Sequence, residues 1–146
     1  MALHNEIKFE EDICAALAAS GWLYSANDKG YDPERAIFPE DVFAWVQDTQ
    51  PEAWTRLKSF HNGSSESVFL DRLCKLMDSD GSLSVLRTGF KMAGAGAARF
   101  DLCQFKPASG FNEALQNRYG KVRLRVMRQV HYSTQHKARS LDLVFF

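Results

Sequence analysis

The run Leu141-Asp142-Leu143-Val144-Phe145-Phe146 restricts the fold more than any other segment. Apolar side chains fall on both faces of a strand drawn through it, which suits an interior strand covered on both sides. Asp142 is the exception. A polar group buried without a partner costs on the order of 2–7 kcal/mol, and a carboxylate more. A basic neighbour, backbone donors or a divalent cation must therefore compensate Asp142. An Asp that caps the strand entry or pairs with Arg128 is the purely structural alternative. No Gly, Pro or Asn closes this strand, so the sequence reads as truncated within it.

The segment before it also reads as a strand. From Lys121 to Tyr132, Val122, Leu124 and Val126 alternate with Lys121, Arg123 and Arg125. Met127-Arg128 breaks the alternation: either a bulge sits there or Arg128 points inward. The polar stretch Ser133–Arg139 connects the two strands, which are expected to pair antiparallel with the opening helix packed on their sheet. Net charge is zero but unevenly spread. Residues 1–82 carry 15 acids and 7 bases, and residues 83–146 carry 3 acids and 11 bases. Between Glu113 and Asp142 there is no acid. Lys121, Arg123, Arg125 and Arg128 are the candidate DNA contacts, because clustered cations favour phosphates. The other explanation is a solvated strand that pairs with the acidic half of the chain.

The first half is patterned for helices. Phe9, Ile13, Ala16 and Leu17 recur at helical spacing from Glu6 to Ser20, and Gly21 provides a stop. Pro39 suits a helix start, with Val42, Phe43 and Val46 as its stripe. Pro51 opens a short helix through Trp54 and Leu57. Ser64 to Asp78 is a fourth, with Ser64 or Ser65 as cap. Leu83–Leu86 and Phe100–Phe105 are strand candidates around the small-residue loop Gly94–Ala98, and Asn112–Tyr119 supplies a helical turn or two. Trp22, Trp45 and Trp54 read as core residues on helical stripes. Helices followed by strands, with a helix between, give an α/β or α+β fold.

Composition excludes several classes. At 146 residues, 45% hydrophobic and 25% charged, the chain is globular rather than disordered and has the length of one domain. No apolar run approaches a membrane span, and the opening lacks the form of a signal peptide. Cys14, Cys74 and Cys103 contain no CxxC pair and suit reduced thiols of a cytoplasmic protein. The four histidines show no zinc spacing. Gly94-x-Gly96 is followed by no Lys-Ser/Thr, and no GxxxxGK[ST] occurs, so there is no ATP-binding motif.

The stretch LRVMRQVHYST (124–134), the polar hairpin and SLDLVFF (140–146) resemble the strand pair before the catalytic motif of type I restriction enzyme R subunits. NEIKFEEDICAALAASGW is similar to that family's opening helix, and FPEDVFAWVQDTQPEAW to its second and third. LRTGFK (86–91), CQFKPASGFN (103–112) and NRYGKVRLRV (117–126) are similar to its middle segments.

The resemblance implies a restriction-endonuclease-like core of α/β type (an α+β mixed sheet) with N-terminal helices, incomplete at its C-terminal end. Residues 1–146 would be one truncated part of a PD-(D/E)xK nuclease domain, with the helicase-like motor domains absent. It implies Mg²⁺-dependent DNA cleavage in the parent protein, with Asp142 as the first catalytic carboxylate. It suggests that Glu6 or Glu10, one turn apart on the opening helix, assists metal binding. An exposed acidic helix face is the structural alternative for that pair. The Glu-x-Lys expected after Asp142 is not in the sequence, so this chain alone is expected to be inactive and not to bind Mg²⁺, which the complete nuclease domain would hold. DNA and the methyltransferase and specificity subunits of the restriction complex are the implied partners. The competing readings are a non-catalytic module that docks on DNA or the methylase, and an α/β domain of only architectural similarity.

Overall fold

The structure, a computed structural model, describes residues 2–94, 96–132, 135–136 and 138–146. Among these the chain is mixed α/β, with six helices, a small mixed sheet and a two-stranded ribbon. It forms two compact units: residues 1–39 with 123–146, and residues 40–122.

The first unit opens with α1 (Ala2–Ala19). Gly21, at φ 92°, takes a left-handed conformation that costs glycine little, and Ser20 Oγ donates to Ala16 O to close the last turn. The chain then enters β1 (Leu23–Ser25), which pairs parallel with β4 (Arg125–His131). β5 (Ser140–Phe145) pairs antiparallel with β4, giving the order β1-β4-β5. Helix α1 lies against β1 and β4. Val126 is fully buried, while Met127 and Val130 pack with Phe38, Tyr31, Val144 and Phe146. The Phe38 and Phe146 rings meet edge to face at 5.0 Å, a favoured aromatic arrangement.

Several sequence expectations are corrected here. Among the described residues β5 lies at the edge of the sheet rather than inside it, with Leu141 and Phe145 about half exposed. Asp142 is exposed as well, so no burial penalty falls on it. β4 starts at Arg125 rather than Lys121, because Lys121 and Val122 donate backwards to Arg118 O and Tyr119 O and finish a helical turn. The alternation breaks because Val126 and Met127 are both buried, so β4 is covered on both faces there, and the register with β5 runs on without a bulge; Gln129, further on, has a left-handed φ of 51°. That conformation is uncommon for any residue but Gly, Asn or Asp, and it rotates the strand. Trp22 lies beyond α1, edge-on to Phe145, not on a helical stripe.

The second unit holds α2 (Pro39–Thr49), α3 (Pro51–Phe60), α4 (Ser65–Asp80), α5 (Ser82–Thr88), the β2–β3 ribbon (Phe90–Lys91 with Arg99–Phe100) and α6 (Glu113–Tyr119). Leu83–Leu86 is therefore helical, not a strand. Only Val85 of that segment is buried, and so short an apolar window fits either period. Phe100–Phe105 contributes only Phe100 to a strand. Phe43, Trp54, Phe69, Phe90 and Phe100 form a linked aromatic core. Gln50 clamps the main chain of Asp101, donating to its carbonyl at 2.8 Å and accepting from its amide at 2.7 Å. Gly89 is required: a Cβ there would meet Phe100 O at 2.3 Å.

Candidate metal centre

The helical repeat sets Glu6 and Glu10 on one face of α1, a turn apart. The β4–β5 register places Asp142 between Leu141, paired with Val130, and Leu143, paired with Arg128. Helix and sheet thereby gather three carboxylates, whose nearest oxygens all lie within 4.8 Å of one another. Glu10 is only 5% exposed, whereas Glu6 and Asp142 are open to solvent.

The buried member is the one with partners. Arg128 reaches Glu10 Oε2 through Nε at 3.2 Å and Nη2 at 3.1 Å, and its Nη1 donates to Glu11 at 3.3 Å. Gln129 Nε2 donates to both Glu10 oxygens at 3.3–3.4 Å. Ser140 Oγ in turn donates to Gln129 Oε1 at 2.7 Å, so β5 also steadies this amide. Burial works against the Arg128 charge, but hydrogen bonds to Tyr24 and Glu10 outweigh it and hold the guanidinium protonated above its ordinary range. Burial pushes the nearby Cys14 thiol up, with Arg128 opposing and Glu10 adding to the shift. Glu6 and Asp142 have no ion pair among the described residues. Among the described residues the site thus combines one compensated carboxylate with two that have no ion pair. Such an arrangement repels itself and attracts a cation.

The basic candidates are distributed differently. Arg128 pairs with Glu10 and Glu11, not with Asp142. Arg125 donates to Ser25 Oγ at 2.7 Å and stacks over the Phe38 ring at 4.5 Å. Arg123 is exposed but engaged. Lys121 belongs to the second unit, where its Nζ donates to Asp48 O. Sequence reasoning missed Gln129 and Ser140, which fix Glu10. The broken alternation at Met127-Arg128 points to Arg128, and neither residue has a signal of its own. Ser133, Thr134 and Lys137 of the polar connection lie outside the described residues.

Among the described residues no helix is long and apolar enough to cross a membrane. The chain matches no protein-family model, and neither a curated protein nor a solved structure is significantly similar to it.

Proposed function

We propose that Glu6, Glu10 and Asp142 hold a divalent cation, and that this site serves phosphodiester hydrolysis in a Mg²⁺-dependent nuclease. The reading extends to a restriction-endonuclease-like core and to a protein resembling the R subunit of type I restriction enzymes, with DNA and the methylase complex as partners. One observation carries it: carboxylates from α1 and from β5 converge within 4.8 Å.

The donor set fits a hard cation, since Mg²⁺ and Mn²⁺ prefer carboxylate and water oxygens. Exposed Glu6 and Asp142 leave room for water and a phosphate on the outer side, while Glu10 is fixed from behind by Arg128 and Gln129. When bound, such a cation stabilises charge on phosphoryl oxygens and lowers the pKa of a coordinated water. The chain's own residues bind and orient. A lysine, in a Glu-x-Lys after Asp142, is the further element the resemblance calls for. Losing one electrostatic element of an active site costs about 100- to 1000-fold. This chain is therefore expected to bind the cation without measurable plasmid cleavage.

The test is Mn²⁺ titration followed by electron paramagnetic resonance, for the wild type, Asp142→Asn and Glu6→Gln. A saturable site in the wild type that weakens in both variants supports the reading. Absence of a saturable site, or binding indifferent to Asp142→Asn, sinks it.

A further inference from the structure

Asn62 and Gly63 lie in the turn between α3 and α4, and no other asparagine of the chain precedes a glycine. Both residues are exposed. Gly63 has a left-handed φ of 83°, and a Cβ built on it would meet nothing within 4 Å. The turn is held by its flanks: His61 N donates to Leu57 O at 3.0 Å, and Ser64 N donates to His61 O at 3.1 Å. Between them, among the described residues, the Gly63 amide has no acceptor and the Asn62 side chain makes no hydrogen bond. Neither group has a contact to break before the two react. No side chain on residue 63 obstructs their approach, and both belong to one turn, so the reaction is unimolecular.

We propose that Asn62 is a site of spontaneous covalent modification, converting to aspartate and isoaspartate through a cyclic imide with Gly63. Hydroxide removes the Gly63 amide proton, and the nitrogen attacks Asn62 Cγ. The Cγ–Nδ2 bond breaks, and the leaving amide takes a proton from water and departs as ammonia. Water then opens the imide. Its addition at Cγ leaves aspartate, whereas addition at the main-chain carbonyl leaves isoaspartate, with the chain running through Cγ. Either product adds one negative charge to a chain of zero net charge. The attacking anion and the product carboxylate both lie just ahead of α4, at the end of a helix that favours negative charge. Isoaspartate also lengthens the main chain by one carbon inside the turn, which loosens the Ser64–His61 bond and the start of α4. The reaction takes place within the second unit and needs no cation.

Asp80-Gly81 is a related pair in which the same groups are engaged. Gly81 N donates to Met77 O at 3.1 Å, and Asp80 accepts from Ser79 Oγ at 2.8 Å. A carboxylate is also a poorer electrophile than an amide. The experiment is incubation of the full chain at neutral and at mildly alkaline pH, followed by tryptic digestion and mass spectrometry. Cleavage after Lys58 and Arg72 isolates residues 59–72 with Asn62, and cleavage after Lys75 and Arg87 isolates residues 76–87 with Asp80. The expected result is progressive conversion of 59–72 to two acid species, aspartate and isoaspartate, while 76–87 stays unchanged. The rate should rise roughly 10-fold per pH unit, as the deprotonated fraction of a group far below its pKa does. Asn62→Gln removes the conversion, because its side chain closes a larger ring, and at an exposed position it leaves the fold intact. Retention of the amide in the folded chain overturns the proposal, most directly if a urea-unfolded sample converts over the same time. Isoaspartate that forms at Asp80 ahead of Asn62 overturns it as well.

Discussion

The two units are held together by different physics. In the second, Phe69 and Phe100 are fully buried within an aromatic cluster, and its ion pairs, Arg99 and Arg118 with Asp101, are partly open to solvent. In the first, the sheet buries Val126 and Met127, but a carboxylate and a guanidinium sit beside them in the Glu10–Arg128 pair. A strand residue, Gln129, is also held in a left-handed conformation next to that pair. Apolar burial needs no compensating partner, whereas buried charge is tolerated only while paired. What distinguishes the first unit is thus a charge pair one of whose members, Glu10, is buried.

The sharpest way to break this comparison is to cut each unit at its centre. Phe69→Ala removes the ring that touches Phe43, Trp54, Phe90 and Phe100, and is expected to cost about 3–5 kcal/mol in urea unfolding. That loss should not depend on salt or on pH between 5 and 8, roughly the range in which ordinary carboxylates are charged. Arg128→Met leaves Glu10 buried and uncompensated beside two further carboxylates, and is expected to cost about 3 kcal/mol or more. Adding Glu10→Gln to Arg128→Met should recover most of the loss, because the orphaned charge is gone. If Arg128→Met alone is neutral, the interior charge pair does not distinguish the first unit.

A smaller effect is expected at Asp32, an ordinary capped turn in the charge-bearing unit. Its carboxylate accepts from Arg35 Nη1 at 2.8 Å and from the amides of Glu34 and Arg35. The Arg35 hydrogen bond, opposed by burial and helped by those amides, holds its carboxyl below the usual value. A depressed carboxylate stabilises the fold above its unfolded pKa, about 4, and that contribution disappears as pH falls through the lower folded value. The stability difference between wild type and Asp32→Asn should be constant from pH 5 to 7 and shrink below about pH 4. A difference that instead grows on acidification contradicts this assignment.

How far the sequence reached follows from the same contrast. Alternation at 121–132 and the apolar run at 141–146 made the β4–β5 pair legible, since period-2 patterning is a local property. β1 has three residues, Leu23–Ser25, too few to carry a period. Leu83–Leu86 was read as a strand because four residues cannot tell a strand from a helical turn; Gly81, at φ 86°, separates α4 from α5. The burial expected at Asp142 failed for a tertiary reason: burial depends on where the strand sits in the sheet, and among the described residues β5 is at the edge. Spacing put Glu6 and Glu10 on one helix face, but their nearness to Asp142 depends on how α1 and β5 are brought together, and only the family resemblance grouped them. Gln129 had no signal of its own, because nothing in a glutamine announces a left-handed φ.

The smallest effect bears most directly on the candidate site. Glu6, Glu10 and Asp142 oppose one another at short range, and the guanidinium beside them is shared with Glu11. Asp142→Asn removes one of these like charges without removing volume. Without metal, the variant should therefore unfold at a slightly higher temperature than the wild type. Exposed charges are screened over about 8 Å at physiological salt, so the gain should increase as salt is lowered. A cation that binds only the folded chain adds stability as RT ln(1 + [L]/Kd). With excess Mn²⁺ the wild type should gain more than the variant, and the order of the two midpoints should reverse. A metal-free variant that is less stable at low salt would mean Asp142 makes a favourable contact rather than a repulsive one. Midpoints that both ignore Mn²⁺ would leave three crowded carboxylates on a surface and no metal site.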